Sequence, residues 1–527
     1  MGAVPSLDLG AAFDGFPRWA YEVAFAAYAI LVAALVLSER RRPTATLAWI
    51  LALVFLPLLG LLFYLVFGRN RIHRRRRRRR RRACHPFDET AELAAVETLS
   101  PNLSPVQAGL VRLGLSVGAA PLRRCETLEV LDTAERLRAA LFDAVEAAER
   151  NIHLEYYIWK DDASGRALTE RLVRKARAGV RVRVLFDFVG SLGLPAAHFR
   201  ALVEAGGEVR AFAPVRVPLP TRLHHLNFRN HRKIAVIDGR TGFVGGANVG
   251  DEYLGGMDAR GAWHDLALRM TGDAVLSLDA IFLEDWLEAT GELLDLEARP
   301  APAPGHTAGP LRGLILGSRL RRPAGPARSP FPAATDRPAR SAGTLVQIIP
   351  SGPDTEVADS IALQTVAAVT AARRRILVAT AYFVPDEPTM AALRTAALRG
   401  VDVRILVPSP QASDQRLVAY AGRSYYDDLL AAGCRIFEFQ DGMLHAKCII
   451  VDEDVCLVGS ANMDIRSFYL NYEVTALVYG AETTAALARV FADYERRAEA
   501  VTPAAREGSS GPSRMIENLA RTLSPLL

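Results

Sequence analysis

Two stretches of this chain repeat one another at every position where chemistry could reside. The first runs His231-Arg-Lys233-Ile-Ala-Val-Ile-Asp238, then six residues, then Gly245-Gly-Ala-Asn248. The second runs His445-Ala-Lys447-Cys-Ile-Ile-Val-Asp452, then six residues, then Gly459-Ser-Ala-Asn462. Histidine and lysine two residues apart on an extended strand project to one face. A neutral histidine can act as a nucleophile and a protonated one as a general acid. Lys233 and Lys447 could hold an anionic oxygen, and Gly-x-x-Asn brings a tight backbone and the amides of Asn248 and Asn462 to the same oxygens. Two copies facing each other would set His231 and His445 on opposite sides of one phosphorus, which suits in-line displacement. The lysines and asparagines would then stabilise the extra transition-state charge, a task often given to metal ions; no metal or cofactor is expected. Asp238 and Asp452 complete the two constellations as candidate site residues. Each lies five residues past its lysine, which favours a structural partnership over direct catalysis. A lone histidine near a lysine would mean little, but one spacing kept in two copies is not incidental.

The elements around these motifs are duplicated as well. Asn151 to Trp159 reads as a strand, Ala163 to Ala178 as a helix stopped by Gly179, and Val180 to Phe186 as an alternating strand. In the second half Ala372 to Phe383 is strand-like, a helical stretch ends at Gly400, and Val401 to Val407 is again a strand. AGVRVRVLF mirrors RGVDVRILV, with the two glycines 221 residues apart. An internal duplication accounts for this. The reading is α/β: two fused domains with mixed sheets related by a pseudo-twofold, the site at their junction. The first domain is assigned to 105–296 and the second to 344–500, with a tail at 501–527. Between them, 297–343 is rich in Pro, Ala and Arg and reads as a linker or insertion.

The N-terminal 1–68 has another character. Leu47 to Phe67 is an uncharged apolar run whose 21 residues would span about 31 Å as a helix, close to a bilayer's hydrocarbon thickness. Val23 to Leu37 is a second, shorter run, with Trp19 and Tyr21 as interfacial anchors. It lacks the basic start and the cleavage site of a signal peptide. The pair reads as a two-helix transmembrane hairpin turning near Glu39 to Pro43. Arg40, Arg41 and Arg42 lie in the turn, whereas Arg69, Arg71 and the unbroken run Arg74 to Arg82 follow the second helix. The heavier side is expected in the cytoplasm. Formal net charge is +6, so an anionic partner is expected. In the arginine-rich segment 69–104 the position just beyond a span favours anionic membrane lipids over nucleic acid. Only four residues are lysine (Lys160, Lys175, Lys233 and Lys447), so two of the four fall in the motifs. The five cysteines have no metal-ligand spacing and read as free thiols.

The doubled His-x-Lys-x4-Asp-x6-Gly-[Gly/Ser]-x-Asn pattern resembles the signature of the phospholipase D superfamily. The flanking text RNHRKIAVIDGRTGFVGGANVGDEYLG, WHD at 263–265, QIIPSGPD at 347–354, LHAKCIIVD, GSANMDIRSFYLNYE and the C-terminal ENLARTLSPLL is similar to the bacterial cardiolipin synthases of that group. The likeness covers nearly the whole chain and departs at the nine-arginine run and the Pro/Ala/Arg linker. It implies two phospholipase D-like domains behind an inner (plasma) membrane anchor. It also implies a phosphatidyl-histidine intermediate, phosphatidylglycerol as donor and acceptor, and an orienting acid after each motif: Asp265 and Glu473. A nuclease or phospholipid hydrolase would use the same site with water as acceptor, and a basic membrane scaffold would not use it at all. Two membrane helices argue against the nuclease, and intact His, Lys and Asn in both copies argue against the scaffold. Oligomeric state is left open.

Overall fold

The computed structural model describes residues 17–37, 43–56, 59–61, 63–64, 103–118, 120–212, 227–258, 261–292, 294, 343–353, 359–508 and 511–522. The nine-arginine run and nearly all of the 297–343 linker lie outside them. Contacts divide the chain into two units, 1–72 with 215–227, and 73–214 with 228–527.

In the first unit, helix α1 (Arg18–Leu37) and helix α2 (Pro43–Phe55) pack through Val32, Val36, Leu53 and Tyr64. The Tyr28 hydroxyl donates to the Leu53 carbonyl at 3.1 Å. Of the expected helix over Leu47 to Phe67, α2 ends at Phe55 with a bend at Leu56, and 59–61 and 63–64 are helical; 57–58, 62 and 65–67 lie outside the described residues. Pro57 carries no N–H and disfavours helical geometry at the residue before it. Among the described residues no helix is long and apolar enough to cross a membrane.

The second unit is built on one sheet. Its strands in chain order are β1 (Leu122–Leu131), β2 (Asn151–Tyr156), β3 (Arg181–Asp187), β4 (Glu208–Phe212), β5 (Ile234–Ile237), β6 (Thr241–Gly245) and β7 (Ala267–Gly272) in the first half. The second half supplies β8 (Thr344–Ser351), β9 (Arg375–Ala379), β10 (Asp402–Pro408), β11 (Arg435–Phe439), β12 (Cys448–Val451), β13 (Val455–Gly459), β14 (Glu473–Tyr479) and β15 (Ala498–Val501). Across the sheet the order is β15-β11-β10-β9-β12-β13-β14-β8-β1-β7-β6-β5-β2-β3-β4. Outward from the antiparallel β1–β8 pair, each half presents the same seven strands in the same sequence order, and the second half adds β15 antiparallel to β11 at its edge. Both halves are mixed: β2, β3 and β4 run parallel while β5 is antiparallel to β2, and β9, β10, β11 and β12 repeat this.

Parallel neighbours need a crossover, which helix α3 (Ala163–Arg177) and helix α4 (Glu387–Leu398) provide. Asp162 and Asp386 cap them by accepting from Gly165 and Thr389 amides. Gly179 and Gly400 follow their C-terminal ends with φ +89° each, a left-handed backbone that glycine adopts without penalty. Each half has its own apolar core, one around Leu154, Leu168 and Val184 and one around Ile376, Leu393 and Ile405. A further cluster runs through both, joining Val236, Val244 and Leu268 to Ile348, Val458 and Ala476. The halves are therefore one packed body.

Asp238 and Asp452 end β5 and β12 at φ 56° and 52°. The Asp238 carboxylate accepts from the amides of Glu149, Arg150 and Asn151 at 2.9, 2.7 and 2.9 Å, fixing the start of β2. Asp452 accepts from Arg373, Arg374 and Arg375 at 3.0, 2.7 and 3.1 Å at the start of β9. Six residues of mostly extended chain, roughly 20 Å, lie between each aspartate and its histidine. These two are thus not at the histidines; they pin strand ends. Asp238→Ala should cost about 2–4 kcal/mol, since it orphans three backbone amides and removes the short polar side chain that helps a non-glycine residue hold left-handed geometry. Chemical denaturation measures that loss, while turnover per folded molecule should be unchanged.

Candidate active site

His231 and Lys233 sit in an extended segment just ahead of β5, and His445 and Lys447 just ahead of β12. The strands begin three residues later than the sequence pattern implies, at Ile234 and Cys448 rather than at the histidines. What fixes these segments is pairing with the opposite half. Asn230 forms a parallel bridge with Tyr472, the His231 amide donates to the Tyr472 carbonyl at 2.9 Å, and the Tyr472 amide donates to the Arg229 carbonyl at 2.8 Å. Reciprocally, Met443 and Leu444 pair with Trp263 and His264, and the His445 amide donates to the His264 carbonyl at 2.7 Å. In each case the residue that receives the histidine segment immediately precedes the candidate acid.

The side chains consequently cross. His231 Nδ1 lies 3.0 and 3.1 Å from the two Glu473 carboxylate oxygens. His445 Nδ1 lies 2.6 Å from Asp265 Oδ2. Each acid holds the histidine of the other half, a pairing that motif spacing does not reveal. Glu473 is fully buried and Asp265 nearly so. With Nδ1–H donated to a carboxylate, the Nε2 lone pair of each ring is left for chemistry.

Lys233 Nζ donates to the His231 carbonyl at 2.7 Å and Lys447 Nζ to the His445 carbonyl. Both are buried. Burial holds both lysines below their usual value, Lys233 far below; the nearby carboxylates oppose this, and for Lys233 the Lys447 charge adds to it. Burial lowers His231 to about 4 against the pull of Glu473, with Lys233 and Lys447 contributing to the depression. His445 is lowered in the same way, with Lys447 adding to burial and Asp265 opposing it. Lys447 acting on both His231 and Lys233 places the two motifs in one electrostatic field. That field favours a bound anion, which would compensate the buried ammonium groups.

Asn248 Oδ1 accepts from the Ile158 amide at 3.1 Å, whereas buried Asn462 Oδ1 has no hydrogen-bond partner. Gly246 and Ser460 occupy the same motif position and differ in use. At Gly246 a β-carbon would collide with the Asp265 carboxylate, so only glycine admits that acid. Ser460 instead donates its hydroxyl to Glu473 Oε2, and Asn471 Nδ2 donates to Oε1 at 3.3 Å. The first copy also carries Arg232 where the second has Ala446. Arg232 is buried, pairs with Asp285, and donates to the Glu473 and Ser351 carbonyls at 3.1 Å each. Glu155 beside Asp285 is raised well above its usual value by burial and by that neighbour's charge. Aromatic rings complete the walls: Tyr157 lies 4.9 Å from His231, and Trp263 and Tyr253 lie 5.1 and 5.6 Å from His445. Of these, Arg232, Gly246, Tyr253, Trp263, Ser351, Ser460 and Asn471 fall in stretches that the motif or its flanking text picks out, without a role being readable there, whereas Tyr157, Glu155 and Asp285 do not.

The depressed His231 sets a pH dependence. Between pH 6.5 and about 4 the unfolded chain binds a proton at this ring that the folded chain does not. Stability therefore falls as pH drops through that window. His231→Asn should flatten the fall, read from denaturation midpoints at pH 7, 6, 5 and 4; an unchanged slope would show that His231 is not the group responsible.

Residues 141–286 and 366–494 match the family model described as the cardiolipin synthase, phospholipase D-like domain, and residues 24–69 match the phospholipase D-nuclease N-terminal model. The cardiolipin synthase of Geobacillus kaustophilus is 39% identical over all of this chain and 97% of its own length. That of Geobacillus thermodenitrificans is 39% identical over 96% and 94%. The solved phosphatidylserine synthase of Haemophilus influenzae shares the fold, with a TM-score of 0.56 over 80% of this chain and all of that one at 14% identity. Two crossed carboxylate–histidine pairs on a duplicated α/β sheet, together with this likeness along the full length, mean that the chain belongs to the cardiolipin synthase family of phospholipase D-like proteins.

Proposed function

We propose that the chain transfers a phosphatidyl group from one phosphatidylglycerol to the hydroxyl of a second, releasing glycerol and forming cardiolipin. The observation that carries this is the pair of buried histidines, each oriented through Nδ1 by an acid of the opposite half. In this reading the neutral His231 Nε2 attacks phosphorus, and the P–O bond to glycerol breaks as His445 delivers a proton to the departing oxygen. His445, now neutral, takes the proton of the incoming lipid hydroxyl, which attacks phosphorus and breaks the P–N bond. Lys233, Lys447, Asn248 and Asn462 hold the non-bridging oxygens, while Asp265 and Glu473 fix the ring tautomers. Binding of the phosphodiester anion raises the proton affinity of His445, which the empty site depresses. Residues 105–296 and 344–500 are taken as the two catalytic domains.

Phosphatidylglycerol alone should give cardiolipin and glycerol in equal amounts by mass spectrometry; phosphatidic acid as the main product would make water the acceptor and the chain a hydrolase. In the same assay His231→Ala should form no phosphorus–histidine adduct. His445→Ala should be slowed roughly 100- to 10,000-fold, yet still form the adduct from a nitrophenyl ester, whose leaving group needs no proton. The reverse pattern would exchange the two roles.

The apolar runs within 1–68 are read as a two-helix anchor, and 69–104 as a basic tether on anionic headgroups with the catalytic domains cytoplasmic. The uneven arginine count on the two sides of the second run supports this. A reporter fused after Leu527 should read as cytoplasmic and one inserted at Arg41 as external; the opposite result would invert the topology.

A further inference from the structure

In the proposed reaction His445 protonates the departing glycerol and then takes the proton of the incoming lipid hydroxyl. Leaving group and acceptor therefore occupy the same side of phosphorus in turn, and what recognises them must lie around His445. Trp263 and Tyr253 flank its ring at 5.1 and 5.6 Å. Lys447, Asp265 and Asp414 act on it electrostatically. Asp265 holds Nδ1, and Lys447 donates to the His445 carbonyl. Asp414 does neither, and the reaction leaves it without a role.

Asp414 is nevertheless held in place from two directions. Its turn follows β10, where the Ser409 amide donates to the Phe439 carbonyl at 3.0 Å and the Ser413 amide to the Ser409 carbonyl at 2.9 Å. From the other direction the Tyr382 hydroxyl donates to the carboxylate, 3.0 and 2.9 Å from its two oxygens. Burial, and then the Asp414 charge, raise that hydroxyl well above its usual value, so it keeps the proton it donates. Tyr382 is itself tied to the site. The Thr380 hydroxyl donates to the Tyr382 carbonyl at 2.9 Å and accepts from the Met463 amide at 3.1 Å. Phe383 pairs with Met463, the residue after Asn462. Tyr382 also packs against the apolar cluster that contains Tyr253 and Trp263, the two rings beside His445. Among the described residues the Tyr382 hydroxyl is the partner of Asp414, and no arginine, lysine or histidine pairs with it. Both residues are half-buried.

A carboxylate with one neutral donor keeps lone pairs for further hydrogen bonds. The alcohols that visit His445 offer such donors. The leaving glycerol carries a hydroxyl on the carbon next to its departing oxygen, and the acceptor phosphatidylglycerol carries one next to its reacting oxygen. That vicinal hydroxyl is the feature the two alcohols share; beyond it one ends in a free hydroxyl and the other in a phosphodiester.

We propose that Asp414, oriented by Tyr382, accepts a hydrogen bond from the hydroxyl vicinal to the reacting oxygen and so selects glycerol-type alcohols as leaving group and acceptor. This rests on the reading that the chain transfers phosphatidyl groups. The test loads the full chain from a phosphatidyl nitrophenyl ester, whose leaving group is not glycerol. Equimolar 1,2-propanediol and 1-propanol then compete for the adduct, and mass spectrometry gives the product ratio, which does not depend on how much protein is folded. The parent should favour the diol at least about tenfold, as one hydrogen bond to a charged acceptor provides. With 1,3-propanediol, whose hydroxyls are not vicinal, the advantage should vanish. Asp414→Ala should bring the ratio below about threefold, and Tyr382→Phe should lower it by less. Where Asp414→Ala does not fold, Asp414→Asn keeps the shape with a weaker acceptor and should still lower the ratio at least about threefold. Equal use of both alcohols by the parent would overturn the proposal. So would an unchanged ratio in Asp414→Ala with both products slowed alike, which would make Asp414 a tuning group for His445. Ethanolamine outcompeting the diol would also overturn it, since the carboxylate would then read an ammonium. If the parent yields only phosphatidic acid, the transfer reading fails, and the donor side tests the subsite instead. Phosphatidylglycerol should then be hydrolysed at least about tenfold faster than phosphatidylpropanol, with Asp414→Ala removing the difference; equal rates in the parent would overturn the subsite as well.

Discussion

The contact on which the rest depends is a buried carboxylate held against an imidazole from the other half of the chain. Glu473 has no exposed surface, and an ionised acid there is costly unless it is paired and hydrogen-bonded. His231, Ser460 and Asn471 supply that pairing. On the other side Asp265 has His445 and the Leu266 amide at 2.8 Å. The acid fixes the ring, and the ring offsets the burial of the acid. Each acid draws some donors from its own half, but its imidazole comes only from the other, so the β1–β8 seam and the two short parallel pairings at Tyr472 and Trp263 are what complete the site.

The two copies are related but not equal. Glu473 is longer than Asp265, receives a serine hydroxyl, and is backed by Arg232, which ties Asp285 of one half to carbonyls of β8 and β14 in the other. Asp265 needs a glycine at 246 instead of a donor. His231 and His445 therefore meet different surroundings in a repeat that looks symmetric by spacing. Separating two chemically identical rings into different roles requires such a difference.

Much of this was legible in the chain text. Identical spacing in two motifs, the repeated βαβ pattern and the glycines at 179 and 400 read directly as a duplicated α/β body, because those features are local and periodic. Asp238 and Asp452 were legible as structural from distance along the strand alone. The crossing of the acids was not, since it depends on which strands meet 180 to 242 residues apart. Nor was the fusion of both halves into one sheet, because antiparallel pairing of β1 with β8 leaves no short-range mark. The helix expected over Leu47 to Phe67 is interrupted at Leu56, just before Pro57, because the ring of a proline disfavours helical geometry at the residue before it, a steric effect that hydropathy does not count.

Because each half supplies the acid for its partner's histidine, the unit that descendants can exchange is not the domain. A half transplanted from a relative brings a histidine fitted to a foreign carboxylate and a carboxylate fitted to a foreign histidine. Asp265 with its required Gly246 and Glu473 with Ser460 must therefore change in matched sets that straddle the gene. Duplication ordinarily frees one copy to drift. Here the crossed wiring binds the two copies to a common history, with each half acting as the environment in which the other is selected.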